Sequence, residues 1–250
     1  MGNNPAILRP RRVRVVLVAT SHPGNIGAAA RAMKTMGFTE LVLVSPLEFP
    51  HPDADARASA AVDLLKQARV VETLDEALAG CDVVAGTSAR LRGLGPPELA
   101  PRDAAARLLA TPGEGDVALV FGRERTGLSN EELDRCHYLI HIPANPDYAS
   151  LNLAAAVQIV AYEMRLAQAQ PVTAEAGEAE SPAATVEEME RLYEHLEAAA
   201  LASGFLDPAN PKHLMRRLRR LFNRARLDQN ELNIIRGLIA ALQTPRHRKL

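Results

Sequence analysis

Five short apolar segments, rich in β-branched residues, recur along the first part of the chain and alternate with patterns typical of helices. Such alternation predicts a parallel sheet covered by helices on both faces and connected by right-handed crossovers. A nearly continuous apolar run fits a parallel strand, because such a strand is buried on both faces. The fold class is therefore α/β. The predicted strands are 13–20, 41–46, 82–87, 117–122 and 138–142.

The segments between the predicted strands favour helices. They are rich in Ala, Leu, Glu and Arg, which lose little conformational freedom in a helix. Asn25 and Ser150 stand where two of these helices are expected to begin, and both residue types are common N-caps. The predicted helices are 26–36, 57–68, 101–110, 129–136 and 151–167.

Length and composition limit how the chain is organised. With 250 residues, of which 47% are hydrophobic, it can bury one sizeable core and still form a small extension. Helical periodicity stops near Pro171 and Pro182, which favours a flexible linker, and apolar residues then return at helical spacing. We therefore predict an α/β domain at 1–167, a linker at 168–185 and a small all-α extension at 186–250.

The net charge of -1 conceals a strong asymmetry in the last third of the chain, where a glutamate-rich segment precedes an arginine-rich one. A basic stripe is the pattern expected of a protein that contacts the phosphate backbone of a nucleic acid, although a solvated helix face gives the same pattern. The residues that we select as RNA contacts are Arg216, Arg217, Arg219, Arg220 and Arg224.

Several classes of protein are disfavoured by the sequence. It contains no long apolar segment, and residues 1–5 do not resemble a secretion signal, so we expect a soluble cytoplasmic protein. Cys81 and Cys136 belong to no CxxC pair, and His137 and His141 share one strand face without a third ligand nearby. We therefore expect neither a metal site nor a membrane partner.

Three bends rich in Gly, Pro and Asn follow apolar strands and lead towards helices. We call residues 22–27 the first bend, 121–127 the second bend and 142–152 the third bend. Open α/β sheets bind ligands outside the carboxyl ends of their strands. We therefore expect the three bends to converge on one crevice.

Each bend carries residues that suit ligand chemistry. The first leads into a helix whose N-terminal amides can hold an anion, close to Asn25 and Arg31. In the second, Glu124 can orient its neighbouring arginines or accept a proton, while Gly122 leaves room for a ligand at the backbone. In the third, Asn152 interrupts an apolar helix, where a buried amide needs partners. Ordinary roles in turns, surface loops and helix caps remain open for all of them.

Taken together, the three bends resemble the three motifs of the SPOUT methyltransferases, in the SpoU/TrmH branch that methylates a ribose 2′-hydroxyl of RNA. The resemblance covers about residues 13–166, and three ordered motifs are more specific than one. Within that branch the chain is most similar to the TrmJ family, tRNA (cytidine/uridine-2′-O-)methyltransferases that act at position 32 of the anticodon loop. The segments that carry this likeness are 25–37, 86–90, 121–133 and 143–164.

The resemblance implies a parallel sheet that ends in a C-terminal trefoil knot, a homodimer, and S-adenosyl-L-methionine bound in the knot. A helical extension after the catalytic domain also fits the TrmJ family. By motif position, the residues implied to bind the cofactor are Thr87, Ser88, Ala89, Gly122, Ile142, Ala149, Ser150 and Leu151.

The catalytic residues implied by the same motifs are polar, and no metal is required. A guanidinium stays protonated, so Arg31 is expected to stabilise the developing alkoxide or clamp a phosphate rather than act as a base. Glu124 is expected to hold Arg31 or a neighbouring arginine, while Ser150 and Asn152 orient the ribose. The full catalytic set is Asn25, Arg31, Glu124, Ser150 and Asn152.

Alternative functions differ in substrate or in fold. A ribose 2′-O-methyltransferase could act on rRNA or on another tRNA position. A nucleotide-binding oxidoreductase or a class I methyltransferase would use the loop after the first strand, but residues 24–27 do not form a GxGxxG motif. A non-catalytic RNA-binding protein could keep the fold. Truncation after about residue 185 should leave cofactor binding intact but sharply lower activity on tRNA, and unchanged activity would refute a role of the extension.

Overall fold

The computed structural model describes residues 11–89, 95–169 and 181–243. Its strands all pair in parallel, in the spatial order β3-β2-β1-β6-β4-β7-β5. In chain order they are β1 (Val13–Val18), β2 (Glu40–Val44), β3 (Arg69–Val71), β4 (Cys81–Thr87), β5 (Glu98–Leu99), β6 (Asp116–Phe121) and β7 (Tyr138–Ile140).

Helices connect these strands and continue beyond the sheet. They are α1 (Pro23–Thr35), α2 (Pro52–Ala58), α3 (Val62–Gln67), α4 (Leu74–Leu78), α5 (Pro101–Leu109), α6 (Asn130–Leu133), α7 (Leu153–Ala169), α8 (Val186–Ala202), α9 (Leu214–Ala225) and α10 (Gln229–Gln243).

All five predicted strands are present, and the α/β fold class is confirmed. The prediction missed β3 and β5, which are very short and lie at the two edges of the sheet, where the apolar signal is weak. It also missed α4. The helix predicted at 57–68 is divided into α2, a 3₁₀ turn and α3, because the backbone of Ser59 adopts a left-handed φ of 53°.

The two predicted N-caps are wrong. Helix α1 begins at Pro23, and the Nδ1 atom of His22 accepts a hydrogen bond from the Gly24 amide, so His22 is the cap. Proline is favoured at the first helical position because an N–H there would have no partner within the helix, so its absence costs nothing. At α7 the cap is Asn152, whose side-chain oxygen accepts from the Ala154 amide at 2.9 Å, rather than Ser150.

Two apolar clusters cover the two faces of the sheet. Val15 and Leu17 of β1 belong to the cluster that contains buried residues of α1, α5 and α7. Val16 and Val18 belong to the opposite cluster, which packs against α4 and includes Val186 of α8. The alternation follows from the period of two along a strand. The helix layers on both faces leave the carboxyl edge of the sheet for the three bends.

Residues 181–243 form the C-terminal module, with α8, α9 and α10 around a small core of its own that includes Leu192 and Leu232. Helix α7 runs to Ala169, inside the segment predicted as a linker, and Ala183 pairs with Asp228 as an isolated β-bridge. The rest of that predicted linker, residues 170–180, lies outside the described residues. The helical composition of the extension is confirmed.

The knot implied by the resemblance depends on how the loops thread through one another. Strand order alone does not define this threading, so the knot stays a prediction.

Across the described ranges, no helix is both long and apolar enough to cross a membrane. The same part of the chain contains no group of three or more His, Cys, Asp or Glu residues that could hold a metal ion.

Candidate active site

The second and third bends meet at the carboxyl edge of β4, β6 and β7 and enclose a cavity of about 280 Å³, which we call the bend cavity. Apolar side chains, including Phe121, Ile140 and Leu153, form part of its wall. All eight residues predicted to bind a cofactor line it: Thr87, Ser88, Ala89, Gly122, Ile142, Ala149, Ser150 and Leu151. The structure therefore brings these distant segments to one place.

The second bend is a closed turn that folds back on the end of β6. The backbones of Arg123 and Gly127 exchange two hydrogen bonds, of 3.2 and 2.9 Å. A Cβ atom at Gly122 would lie 2.3 Å from the carbonyl carbon of Gly127 and 2.4 Å from the nitrogen of Leu128. Gly122 is therefore needed by the turn itself, whereas the sequence interpretation assigned its missing side chain to ligand access.

Arg123 of the second bend is held by a carboxylate that the sequence analysis did not select. Its two terminal nitrogens donate to Glu132 at 2.9 and 3.0 Å, and this interaction raises the pKa of Arg123. Glu132 also accepts from the Ser129 amide at 2.7 Å, completing a capping box at the start of α6. The S-x-x-E pattern of 129–132 is the sequence signal that could have identified it.

Glu124 joins the second bend to the first. Its carboxylate accepts hydrogen bonds from the Ser21 amide at 3.1 Å, from the Ser21 hydroxyl at 3.0 Å and from the Asn25 side chain at 3.0 Å. Burial raises the pKa of Glu124, but these bonds outweigh burial and leave the pKa below its usual value. Glu124 is thus ionised, and its hydrogen-bond partners are Ser21, His22 and Asn25 rather than the expected Arg31 or a neighbouring arginine.

The third bend is joined to the first by two amides. Asn152 donates from Nδ2 to Oδ1 of Asn25 at 3.0 Å, while its own oxygen caps α7. Asn152 is exposed, which differs from the buried helical amide that the sequence suggested. Glu124, Asn25 and Asn152 therefore form a hydrogen-bonded line with one residue from each bend, and we call it the bend network.

The other predicted catalytic residues differ in position. Ser150 is exposed at the rim of the bend cavity. Arg31 is exposed on α1 and is absent from the described lining of the cavity. It follows Asn25 by six residues, and at about 3.6 residues per turn this places the two side chains on different sides of the helix. A single chain therefore does not bring Arg31 to the cavity.

The predicted RNA stripe is divided by the structure. Arg217, Arg220 and Arg224 are exposed on α9. Arg216 instead pairs with Asp134, and Arg219 pairs with Glu190 at 2.7 Å and stacks on the ring of Tyr193, with its guanidinium carbon 4.3 Å from the ring centroid. Arg216 and Arg219 therefore contact other parts of the protein, and the RNA-binding role expected of the five arginines stays a prediction.

Comparison with protein families matches both parts of the chain. Residues 12–162 match the SpoU rRNA Methylase family, and residues 187–250 match the family described as tRNA methyltransferase TrmJ, C-terminal domain. The chain belongs to the TrmJ family of SpoU methylases. The resemblance drawn from the three bends is thereby confirmed.

Individual relatives extend over nearly the whole protein. A tRNA (cytidine/uridine/adenosine-2′-O-)-methyltransferase TrmJ from Pseudomonas aeruginosa strain UCBPP-PA14 is 54% identical, over 93% of this chain and 94% of its own. A tRNA (cytidine/uridine-2′-O-)-methyltransferase TrmJ from Escherichia coli strain K12 is 52% identical, over 93% and 96%. The crystal structure of TrmJ from Z. mobilis ZM4 matches with a TM-score of 0.80 at 36% identity, covering 92% of this chain and 99% of that chain.

The bend network predicts a pH-dependent contribution to stability. Because the pKa of folded Glu124 is lowered, its carboxylate stabilises the fold at pH values above the unfolded pKa of about 4.3, and this stabilisation is lost as the pH falls through the folded pKa. Urea unfolding of the wild type and of Glu124→Gln should therefore give a free-energy difference that is constant from pH 7 to about pH 5 and shrinks as the pH falls below about 4. A difference that grew at acid pH would contradict this role.

Proposed function

We propose that this protein is an S-adenosyl-L-methionine-dependent tRNA ribose 2′-O-methyltransferase that modifies cytidine or uridine at position 32 of the anticodon loop. The observation that carries the proposal is the convergence of all eight predicted cofactor residues on one cavity, beside a network that joins the three bends. Relatives that match over more than 90% of the chain have names that specify 2′-O-methylation of tRNA. A tRNA substrate also suits a cytoplasmic enzyme.

The choice of tRNA over rRNA is supported by the second half of the chain. The C-terminal module matches a domain described for a tRNA methyltransferase. The description of the family that matches the catalytic domain names rRNA instead. The exposed arginines Arg217, Arg220 and Arg224 supply cations for the phosphate backbone. With three such contacts, the affinity for tRNA should fall less steeply with salt concentration than it would with five.

The bend cavity fits the proposed cofactor chemically. Apolar groups of Ile142 and Leu151 suit an adenine ring, and the turn backbones around Gly122 provide hydrogen-bonding groups. The lining also contains the carboxylate of Glu124, which stays ionised and is compatible with a cationic donor. S-adenosyl-L-methionine supplies the methyl group as an electrophile, so the protein has to orient the reactants and manage charge.

The polar residues at the rim have distinct proposed tasks. Ser150 and Asn152 orient the ribose, and the hydrogen bond between Asn152 and Asn25 keeps that amide in place. Glu124 holds Asn25, and through Asn25 it positions the side-chain amide of Asn152. Arg31 stabilises the negative charge that develops on the 2′-oxygen as the hydroxyl proton passes to water, because a guanidinium stays protonated and acts as a cation rather than as a base. No residue of this set requires a metal.

Arg31 can perform this task if a second copy brings it to the site, which fits the expected homodimer. Helix α7 packs against α1, and its exposed side includes Tyr162 and Leu166, with side chains 49% and 37% accessible. Exposed apolar groups of this kind suit a subunit interface. In such a dimer, α1 of one protomer lies close to the partner, and Arg31 can approach the partner's bend cavity.

The proposed dimer is tested by placing a charge on its apolar surface. Tyr162→Glu should shift the protein from dimer to monomer in sedimentation equilibrium, since an unpaired carboxylate at the interface is costly to bury. The same change should reduce methylation. Tyr162→Phe, which keeps the apolar ring at the same position and adds no charge, is the control. A monomeric wild type, or a Tyr162→Glu variant that stays dimeric, would contradict the proposed surface.

A substitution at Gly122 distinguishes the proposed cofactor site from the site that a class I methyltransferase would use. Gly122→Ala should abolish measurable binding of S-adenosyl-L-methionine in calorimetry, because its Cβ would overlap the backbone of Gly127 and displace the second bend. Gly237→Ala is the control, as nothing lies within 4 Å of a Cβ added there. Unchanged affinity in Gly122→Ala would place the cofactor elsewhere.

The activity itself is tested by mapping a transferred methyl group. Incubation with labelled S-adenosyl-L-methionine and total tRNA lacking its own 2′-O-methyl groups should label the ribose of position 32, and a 2′-deoxy substrate should stay unlabelled. Mapping also decides which bases are accepted. Arg31→Ala should bind tRNA with similar affinity but methylate about 10² to 10³ times more slowly. Label on a base, or on another nucleotide, would contradict the proposal.

A further inference from the structure

The short helix α6 lies between the second bend and the C-terminal module. At its start, Glu132 holds the guanidinium of Arg123 with two hydrogen bonds and also binds the Ser129 amide. Arg123 in turn belongs to the closed turn that lines the bend cavity. The position of α6 therefore affects the shape of the cavity wall.

The three residues directly after α6 each contact the C-terminal module. Both carboxylate oxygens of Asp134 lie 3.0 Å from Nε of Arg216 on α9. The guanidinium of Arg135 lies 3.8 Å from Glu190 on α8, and the carbonyl of Cys136 accepts from Asn223 on α9 at 3.2 Å. These contacts fix the C-terminal end of α6 against the module.

A helix as short as α6 depends on tertiary contacts for its position, namely the burial of Leu133 against the sheet and the contacts with the C-terminal module. Four residues allow barely one turn of backbone hydrogen bonding, which is insufficient to hold a helix on its own. The pair between Asp134 and Arg216 is partly shielded, with side chains 17% and 26% accessible, so it is screened less than a surface ion pair. Losing it would remove one of the contacts between the end of α6 and the C-terminal module, while Glu132 remains attached to Arg123.

We propose that Asp134 and Arg216 are positioning residues for the bend cavity, acting through α6, Glu132 and Arg123. The C-terminal module then contributes to binding of the methyl donor as well as to binding of tRNA. This inference rests on the proposed function for the identity of the donor. It revises the expectation that cofactor binding is independent of everything after residue 185.

The experiment measures the dissociation constant of S-adenosyl-L-methionine by calorimetry on the full chain without tRNA. Asp134→Asn keeps the side-chain shape and removes the charge, and Arg216→Ala removes the partner. Each should weaken binding about fivefold, the lower end of typical coupling between sites. The double variant Asp134→Asn with Arg216→Ala should bind the donor no more weakly than Arg216→Ala alone, because that variant has already lost the pair with Asp134.

Two further variants separate positioning from a general loss of structure. The charge-swapped protein, Asp134→Arg with Arg216→Asp, should recover donor affinity to within about twofold, as expected if the ion pair is the link. Arg191→Ala removes an exposed arginine of α8 and should leave the affinity unchanged. Thermal unfolding of every variant confirms that the proteins compared are folded.

The outcomes are distinct for the inference and for the proposed function. Single variants that bind the donor like the wild type would overturn the inference, as would additive effects in the double variant or a swapped pair that fails to recover. If the wild type itself does not bind S-adenosyl-L-methionine, the proposed function is wrong. A wild type that binds, together with unaffected variants, refutes only the link through α6.

Discussion

The site depends on a line of hydrogen bonds that joins three bends which are distant in sequence. Glu124 binds Asn25 across 99 positions of the chain, and Asn25 binds Asn152 across 127. The parallel sheet makes these contacts possible, because it places the carboxyl ends of its strands along one edge. The network then fixes the bends relative to one another, and a cavity forms where none of the segments could enclose one alone.

Much of this arrangement was predictable because it follows from local patterns. Buried parallel strands are read from apolar runs, and the convergence of the bends follows from the common direction of those strands. The motif resemblance supplied the residues around the bend cavity. Partner choice was not predictable in the same way. Nothing local to Glu124 indicates that Ser21 and Asn25 are its donors, and the cap at His22 depends on a side chain that turns back onto the following amide.

The arginines of α9 show why charge patterns mislead about individual residues. In the sequence, Arg216 and Arg219 are indistinguishable from Arg217 and Arg220, since all four belong to one basic run. Helical geometry directs them to different sides, and the residues they meet are supplied by distant segments, such as Asp134 after α6. A basic stripe therefore predicts that a helix meets anions, but some of those anions are the carboxylates of the protein itself.

With the proposed role in RNA binding, this division gives the two sides of α9 different tasks. One side uses Arg216, Arg219 and Asn223 to join the catalytic domain and α8, and the other presents Arg217, Arg220 and Arg224 to solvent. In the proposed complex, an RNA held by the exposed side would be connected to the catalytic domain through these partly buried contacts. Both sets of side chains belong to one helix of 12 residues, so a shift of α9 on binding RNA would also move the residues that contact α6. Substrate recognition and the geometry of the second bend would then depend on one structural element.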